Sequence, residues 1–432
     1  TLLRAPVSAQ GRIEITMKAI VAVVMLALAL SAVQAIEKDQ VLVLVGNSAI
    51  QDTHSKYFAM LQDRGYKLTY SSTENPSQSL TEYGRYLFDH LIIFAPHIDE
   101  FSGLIETHSI TDFIDSGRSV LIAADHGVSS AIRDLASKVG VEYPEKGRVV
   151  DHFDHDVSGN EHENLIVNTL PGMEAILGVE KMSNILYAGT SQVLSPARVS
   201  AGLLFPILNA KSTAFPSPKA NLVAAMQARN NARVVVSGSL SLFSNEFFEA
   251  QVVPSTAGAD HKAVTTAGNK KFAAELAAWN FGERSVLRAS EIKHHRQGEQ
   301  VAPAVYTIKD NITVSVTIEE YANGQWVPFV AKGLQLEFIM LDPYVRLNVP
   351  HVSNGVHSLT FTAPDVYGVF TFEIDYKRFG YSHLSISQIH PVRPYKHNEY
   401  ERFLVAAYPY YAGAFSMIAG VIILGLFVLY QK

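Results

Sequence analysis

No cysteine occurs in the 432 residues, which removes disulfides, thiolate metal ligands and every cysteine nucleophile, including that of a glutamine amidotransferase. Charge is sparse as well: 18 % of residues are charged, the net charge is −6, and the lysines and arginines are scattered. Nothing offers the basic stripe that a phosphate backbone requires, so nucleic acid is excluded as a partner. Phosphate-cradling motifs are also missing. The first apolar run, "VLVLV", is followed by "GNSAIQDTHS", with no G-x-G-x-x-G and no G-K-[ST], and Gly46 alone reads as a turn residue. "SGSLS" at 237–241 lacks the second glycine of a nucleophile elbow. A nucleotide site, a thiol enzyme and an α/β-hydrolase triad are therefore all without sequence support.

What is present is apolar. With 48 % hydrophobic residues and no low-complexity run, the chain can bury large cores, and its length suggests about two to four domains. Met17 and Lys18 precede the run "AIVAVVMLALAL" and then "SAVQA", which sets Val33 and Ala35 at the −3 and −1 positions of a signal-peptidase site. Residues 17–35 are read as a signal peptide, 1–16 as an upstream extension, and Ile36 as the mature start. At the other end every residue from Phe403 to Tyr430 is uncharged. The expected membrane helix spans 408–430, flanked by Tyr408, Tyr410, Tyr411 and Tyr430 as interfacial aromatics. Only Lys432 follows the span and Arg402 precedes it, so orientation rests on the signal peptide. The body is then luminal or extracellular, and 431–432 is a cytosolic stub, read as the shortened end of a longer tail.

Between the ends the hydrophobic period changes once. "VLVLV" (41–45), "LIIFA" (91–95) and "SVLIAA" (119–124) are continuous apolar runs, the pattern of parallel strands buried on both faces. Ile132, Leu135, Ala136 and Val139 keep helical spacing, with Ser129 as N-cap and Gly140 as stop, and Tyr57, Phe58 and Leu61 do the same ahead of Gly65. Residues 36–150 therefore read as a doubly wound α/β domain of flavodoxin or Rossmann type. Residues 151–285 form a mixed region with a strand at 233–238 and a helix from Asn269 to Phe281 carrying Phe272, Leu276 and Trp279 on one face. From 286 to 395 the period is two: "ITVSVTIEEY", "LQLEFIML", "SLTFTAP" and "VFTFEIDY" alternate, separated by turn signals, as in an antiparallel β-sandwich. A Pro-punctuated polar stretch, assigned as a juxtamembrane stalk over 396–407, leads to the span.

Three features carry candidate chemistry. The segment "DHFDHDVSGNEH", 151–162, holds three Asp, one Glu and three His in twelve positions. His152, Asp154, Asp156 and His162 form a possible divalent-cation set of D-x-D type; the competing reading is an exposed connection after the first domain. The neighbours His294 and His295 would point to opposite faces of a strand and cannot ligate one ion together. Asn311-Ile-Thr313 is the one N-x-[ST] sequon with a permitted central residue, and it opens a predicted strand. In the span, Ala412, Ser416 and Gly420 repeat at i+4, a small-xxx-small ridge that lets a second helix approach.

Longer strings carry a resemblance. "THSKYFAMLQDRGYKLTY", "YGRYLFDHLIIFAP", "QARNNARVVVSGSLSLFSNEFF", "DVYGVFTFEIDYKRFGYSHL", "YERF" and "AYPYYAGAFSM" closely resemble the family of forty-eight-kilodalton subunits of the eukaryotic oligosaccharyltransferase complex, from Val41 to Tyr430. The resemblance implies a type I, non-catalytic subunit in the endoplasmic reticulum membrane, with no cofactor of its own. Its complex would transfer a preassembled glycan from dolichyl diphosphate to asparagine. It implies as partners a separate catalytic subunit, ribophorins, the small defender-against-death subunit and the lipid bilayer. Trp279 and Trp326 stand outside the W-W-D-Y-G string that marks the catalytic subunit. A luminal module binding acceptor peptide or dolichol-linked donor, and a metal-dependent transferase using Asp151 to His162, are the alternatives. The family's lysine-rich tail is not matched by Lys432.

Overall fold

A computed structural model describes residues 39–431 apart from 74, 75, 77, 102, 146, 159–161, 172–173, 179–181, 256–264 and 323. The expected signal peptide and upstream extension lie outside the described residues. The chain divides into two units: Thr1–Arg288 with Glu319–Val327 and Lys377–His383, and Ala289–Ile318 with Pro328–Tyr376 and Leu384–Lys432.

The first unit is built on one seven-stranded sheet. Its strands are β1 (Gln40–Val45), β2 (Lys67–Ser72), β3 (His90–Phe94), β4 (Ser119–Ala123), β5 (Leu204–Asn209), β6 (Asn221–Gln227) and β7 (Arg233–Ser237), in the order β5-β6-β7-β4-β3-β1-β2. The pairings β2–β1, β1–β3, β3–β4 and β4–β7 are parallel, while β6 and β5 add antiparallel at the far edge. β3, β4 and β7 are buried at every position, which is why they read as unbroken apolar runs. Helices α1 (Ser55–Asp63), α2 (Thr107–Asp115), α3 (Ser130–Val139) and α4 (Asn269–Asn280) cover the two faces. Ser129 caps α3 by accepting from the Ile132 amide at 3.5 Å, and Gly140 ends it at φ 97°, where a side chain would be strained.

The boundary expected at residue 150 does not divide this sheet. β7 lies directly beside β4, so strands from both sides of that boundary share one ladder, and each face's core mixes residues from before and after it. Periodicity reports which residues a strand buries, not which strand it pairs with. The region 151–285 is part of the first unit.

One buried cation organises the end of α4. Arg233, at the start of β7 and 3 % exposed, donates from Nη1 to the carbonyls of Trp279 (2.5 Å) and Arg284 (2.8 Å) and from Nη2 to that of Ser285 (2.9 Å). Its guanidinium carbon sits 4.7 Å from the centroid of the fully buried Trp279 ring. Trp279 Nε1 donates onward to the Gly380 carbonyl at 2.7 Å. A positive charge at a helix C-terminus meets the negative end of the helix dipole. Burial lowers the Arg233 pKa to about 9, which still leaves it charged at neutral pH.

The second unit is antiparallel apart from one short parallel pair. β8 (Lys293–Arg296), β9 (Tyr306–Thr307), β10 (Asn311–Ala322), β11 (Gln335–Ile339), β12 (Pro343–Asn348), β13 (Val356–Thr362), β14 (Gly368–Tyr376) and β15 (Leu384–Arg393) form two sheets. β10 is flanked by β8 and β13 in one; the other runs β9-β15-β14-β11-β12, with β9 and β15 parallel. Ile312, Val314, Val316 and Ile318 alternate inward, and Phe338 stacks on Phe370 at 4.4 Å. β15, within the stretch 286–395 expected to alternate, accommodates Pro391 near its end. The terminal helix α5 (Tyr408–Tyr430) lies in the stretch Val405–Tyr430, within which an 18-residue window reaches a mean hydropathy of 2.5. It is the one helix among the described residues long and apolar enough to cross a bilayer; at 1.5 Å per residue its 23 residues reach about 34 Å, against roughly 30 Å of hydrocarbon.

His294 is buried in this second unit. Its Nδ1 lies 3.0 Å from the Tyr306 hydroxyl, its Nε2 3.1 Å from Gln388 Nε2, and its ring stacks on Phe372 at 5.0 Å with His390 at 4.7 Å. Burial first, then the neighbouring His390 and His295, push its pKa down to about 4. The ordinary value is about 6.5, so between those values the unfolded chain binds more protons than the folded one. Stability from this site is complete above the upper value and is lost as pH falls toward the lower one.

Two outcomes follow from these buried groups. Arg233→Leu strands three carbonyls and is expected to cost about 3 kcal/mol or more, with Arg233→Lys intermediate, read by thermal unfolding of the purified chain. The unfolding midpoint should drop between pH 7.5 and pH 5, and His294→Gln should flatten that slope; an unchanged slope would refute the assignment.

Candidate functional site

In open α/β sheets, ligands bind in the crevice at the carboxyl ends of the strands, where the order reverses. Here that place lies between β1 and β3. A crevice of about 790 Å³ opens there, lined by Gly46, Asn47, Thr73, His97, Asp99, Glu100 and Asp125 among others. Gly46 does more than turn the chain: a Cβ on it would lie 3.3 Å from Ala95 Cα, so glycine lets the ends of β1 and β3 close together. Among the described residues the lining carries three carboxylates and no lysine or arginine. Such a wall repels phosphate and favours hydroxyl-rich or cationic ligands. At its edge Asp125 Oδ1 accepts from the His126 amide at 2.8 Å, and Arg148, ion-paired with Glu163, reaches His126 Nε2 at 2.9 Å. His54, beneath the crevice, is held by the Leu240 carbonyl at 3.2 Å from Nε2 and packs on Phe94; burial lowers its pKa, so it is a neutral packing group.

The acidic, histidine-rich segment is only in part the exposed connection anticipated for it. Asp151 and Asp156 are each 1 % exposed. Asp151 Oδ1 accepts from the amides of Phe153 (2.9 Å) and Asp154 (3.1 Å), and Oδ2 from Thr213 Oγ1 (2.5 Å). Burial pulls its pKa upward, but these donors and Lys211 outweigh it and hold the carboxyl below its ordinary value. Asp156 accepts from the amides of Val253 (2.6 Å) and Ser158 (3.1 Å). These two carboxylates stand in for missing backbone partners and tie the segment to the first unit. Asp154 pairs with Lys211 at 3.3 Å.

Of the four side chains considered for a cation, Asp154 and Asp156 are thus engaged with protein donors. His162, at φ 64°, places its Nδ1 2.9 Å from His155 Nε2, and its ring meets that of His152 at 5.1 Å. Among the described residues no three His, Asp or Glu side chains converge as a metal site.

The remaining candidates are dispersed. Asn311 is exposed at the first position of β10, and its Oδ1 accepts from Thr362 Oγ1 at 2.8 Å, while Thr313 Oγ1 lies 2.9 Å from Thr360 Oγ1. His294 and His295 do separate to opposite faces: the first is buried as above, and the second turns to the Arg296 carbonyl at 2.9 Å. Ala412, Ser416 and Gly420 are exposed along α5, with Ser416 Oγ donating to the Gly413 carbonyl at 2.9 Å.

Known proteins match at both units. Residues 32–283 match the family described as OST48, N-terminal domain, and residues 294–432 the family described as OST48 middle domain. The chain is similar to a dolichyl-diphosphooligosaccharide–protein glycosyltransferase 48 kDa subunit of Danio rerio, 41 % identical over 409 residues, which is 90 % of this chain and 91 % of the relative. It is likewise similar to proteins of the same name in Arabidopsis thaliana (39 %, covering 91 % and 93 %) and Drosophila melanogaster (40 %, covering 90 % and 91 %).

The geometry of 151–162 makes its two kinds of aspartate separable by mutation. Asp151→Ala orphans three donors and should cost about 2–3 kcal/mol, whereas Asp154→Ala removes a half-exposed pair and should cost under about 1 kcal/mol, both read by denaturant unfolding. Equal effects would show that Asp151 is not structural.

Proposed function

This chain belongs to the family of 48 kDa subunits of the dolichyl-diphosphooligosaccharide–protein glycosyltransferase, and we propose that within that complex it is a non-catalytic subunit that stabilises the assembly. The observation that carries the reading is the match over both units to relatives that bear this name. The enzyme moves a preassembled glycan from dolichyl diphosphate to asparagine in N-x-[ST] sequons. A hydrophilic donor on a polyprenyl anchor needs a lined cavity at the bilayer surface, and one helix builds none. Of the D-x-D carboxylates, Asp156 serves the chain's own backbone and Asp154 pairs with Lys211. Catalysis then belongs to a separate, many-spanning subunit, with ribophorins and the defender-against-death subunit as further partners.

In this reading the body is luminal in the endoplasmic reticulum, α5 spans the membrane, and the last residues are cytosolic. The parallel strands follow the order 2-1-3-4-5 in sequence rank, which supports the flavodoxin-like assignment, and the two facing sets of alternating strands in the second unit support a β-sandwich. Ala412, Ser416 and Gly420 are the ridge against which partner helices pack. Asn311, exposed in a luminal strand, is itself a glycan acceptor. The crevice at the ends of β1 and β3 favours a second reading, in which its carboxylates and amide hold hydroxyls of the acceptor or of the sugar donor.

Purification of the detergent-solubilised complex through this chain is the test. Transferase activity and the many-spanning subunit should come with it, and Ser416→Leu with Gly420→Leu should reduce their recovery several-fold. Glycosylation of peptides by the isolated chain would overturn the non-catalytic role. Glycosidase treatment of the same preparation should shift the chain on a gel, and Asn311→Gln should abolish the shift. A photoreactive acceptor peptide crosslinking beside Asp125 would favour the second reading.

A further inference from the structure

In the second unit, the outer face of the sheet β9-β15-β14-β11-β12 ends in apolar side chains that the sandwich core does not use. Alternation sets their facing: Phe338, Phe370 and Phe372 are buried, so their neighbours along β11 and β14 point outward. Thr371 pairs with Ile339 on one side and Ile389 on the other, and in the next row Val369 pairs with Pro391. Ile389 is 68 % exposed and Val369 59 %. Just past the end of β11 stands Leu341, 91 % exposed, and just ahead of β14 stands Tyr367, 66 % exposed. Gly368 holds these two ends side by side, since a Cβ on it would lie 2.5 Å from Met340 Sδ. Single exposed hydrophobic residues are ordinary, whereas a contiguous set marks an interaction surface.

The chain leaves for α5 from this same end of the sheet. Val392 pairs with Gly368 and Arg393 with Thr307, so β15 exits beside Tyr367. The segment that follows is not fully extended, because Arg393 and Glu399 form a bidentate pair at 2.6 and 2.8 Å that folds 393–399 into a closed turn. Lys309, which follows β9, pairs with Asp365 at 2.9 Å. That pair first, and more weakly Glu401, hold the Lys309 pKa above its ordinary value, which places Glu401 close to the sheet end. From residue 401 to residue 408 a chain extends at most about 25 Å, and the turn from Leu404 to Ala407 shortens it. With α5 across a bilayer, Tyr408 stands at the lipid–water boundary, so the sheet end is held within that reach of it. Exposed charges around it are of both signs, Asp342 and Asp365 beside Lys309 and Lys396, so attraction to lipid here is apolar rather than electrostatic.

We propose that this sheet end is a membrane-contact surface: Leu341, Tyr367, Val369 and Ile389 enter the interfacial layer of the bilayer that α5 crosses, with the Tyr367 hydroxyl among the headgroups. The proposal rests on the reading of α5 as a membrane span. The tether makes the contact intramolecular, so a small apolar area suffices to hold it. Two attachments then fix the orientation of the second unit on the membrane, which a single stalk would leave free to turn.

Because the chain has no cysteine, one introduced cysteine carries a unique dye. Leu341→Cys, Tyr367→Cys, Val352→Cys and Leu424→Cys of the full-length chain are each labelled with a nitrobenzoxadiazole dye and reconstituted in phosphatidylcholine nanodiscs, with or without nitroxide-labelled lipid. Leu424 lies in α5 and reports insertion of the span; Val352, 63 % exposed at the far end of the sandwich, is the control. A nitroxide deep in the acyl chains should quench the dye at Leu424. One near the headgroups should quench Leu341 and Tyr367 at least about twofold more than Val352, and added salt should not change this. Val369→Asp with Ile389→Asp, both exposed positions, should return the Leu341 dye to the Val352 level. Quenching at Leu424 with Leu341 and Tyr367 no different from Val352 overturns the proposal and leaves the span standing, whereas no quenching at Leu424 overturns both. The proposal fails too if quenching at Leu341 survives the aspartate pair, since proximity alone would then explain it. It fails also if the dye there is shielded from aqueous iodide yet untouched by nitroxide lipid, which would assign the surface to a protein neighbour.

Discussion

The first unit depends on a charge placed where charges are costly. Arg233 is sealed inside, and the energetic cost of burying it is offset by three carbonyl acceptors, the negative end of α4 and the face of Trp279. The arrangement satisfies backbone groups that no ladder reaches, since Trp279 closes a helix and Arg284 and Ser285 follow it. Trp279 then passes the constraint to Gly380, which is how a segment remote in sequence is fixed to the end of α4. Through one guanidinium, the start of β7, the end of α4 and the residue that carries the exposed Phe379 loop become a single rigid corner.

The same economy explains the aspartates of 151–162. A stretch that leaves the sheet without regular structure has amides to satisfy, and Asp151 and Asp156 satisfy them by folding their carboxylates inward. Surface polarity in the sequence is therefore internal scaffolding in the fold. The crevice at the ends of β1 and β3 remains open and acidic, a wall suited to hydroxyls rather than phosphates.

In the second unit the buried imidazoles perform a different task. Gln388 donates to His294 Nε2, which requires the neutral ring and leaves Nδ1–H to donate to Tyr306. Hydrogen bonding and packing on Phe372 thus agree on the neutral state of this ring.

Much of the fold was legible because burial leaves a period. The unbroken runs at 41–45, 91–95 and 119–124 became central strands, Ser129 and Gly140 bounded a helix as their chemistry requires, and alternation marked the strands from Asn311 onward. The opposite facing of His294 and His295 followed from the pleat alone. The site was less legible. Asp151, Asp156 and Arg233 look like surface residues until their partners, Thr213, Val253 and Ser285, arrive from far along the chain. What the sequence by itself determined were features local in the chain: the unbroken strands, the capped helix, the alternating faces and the apolar span. Which strand lies beside β4, and which charges are buried, were decided only by the tertiary structure, because pairing and desolvation depend on groups that are neighbours in space and not in sequence.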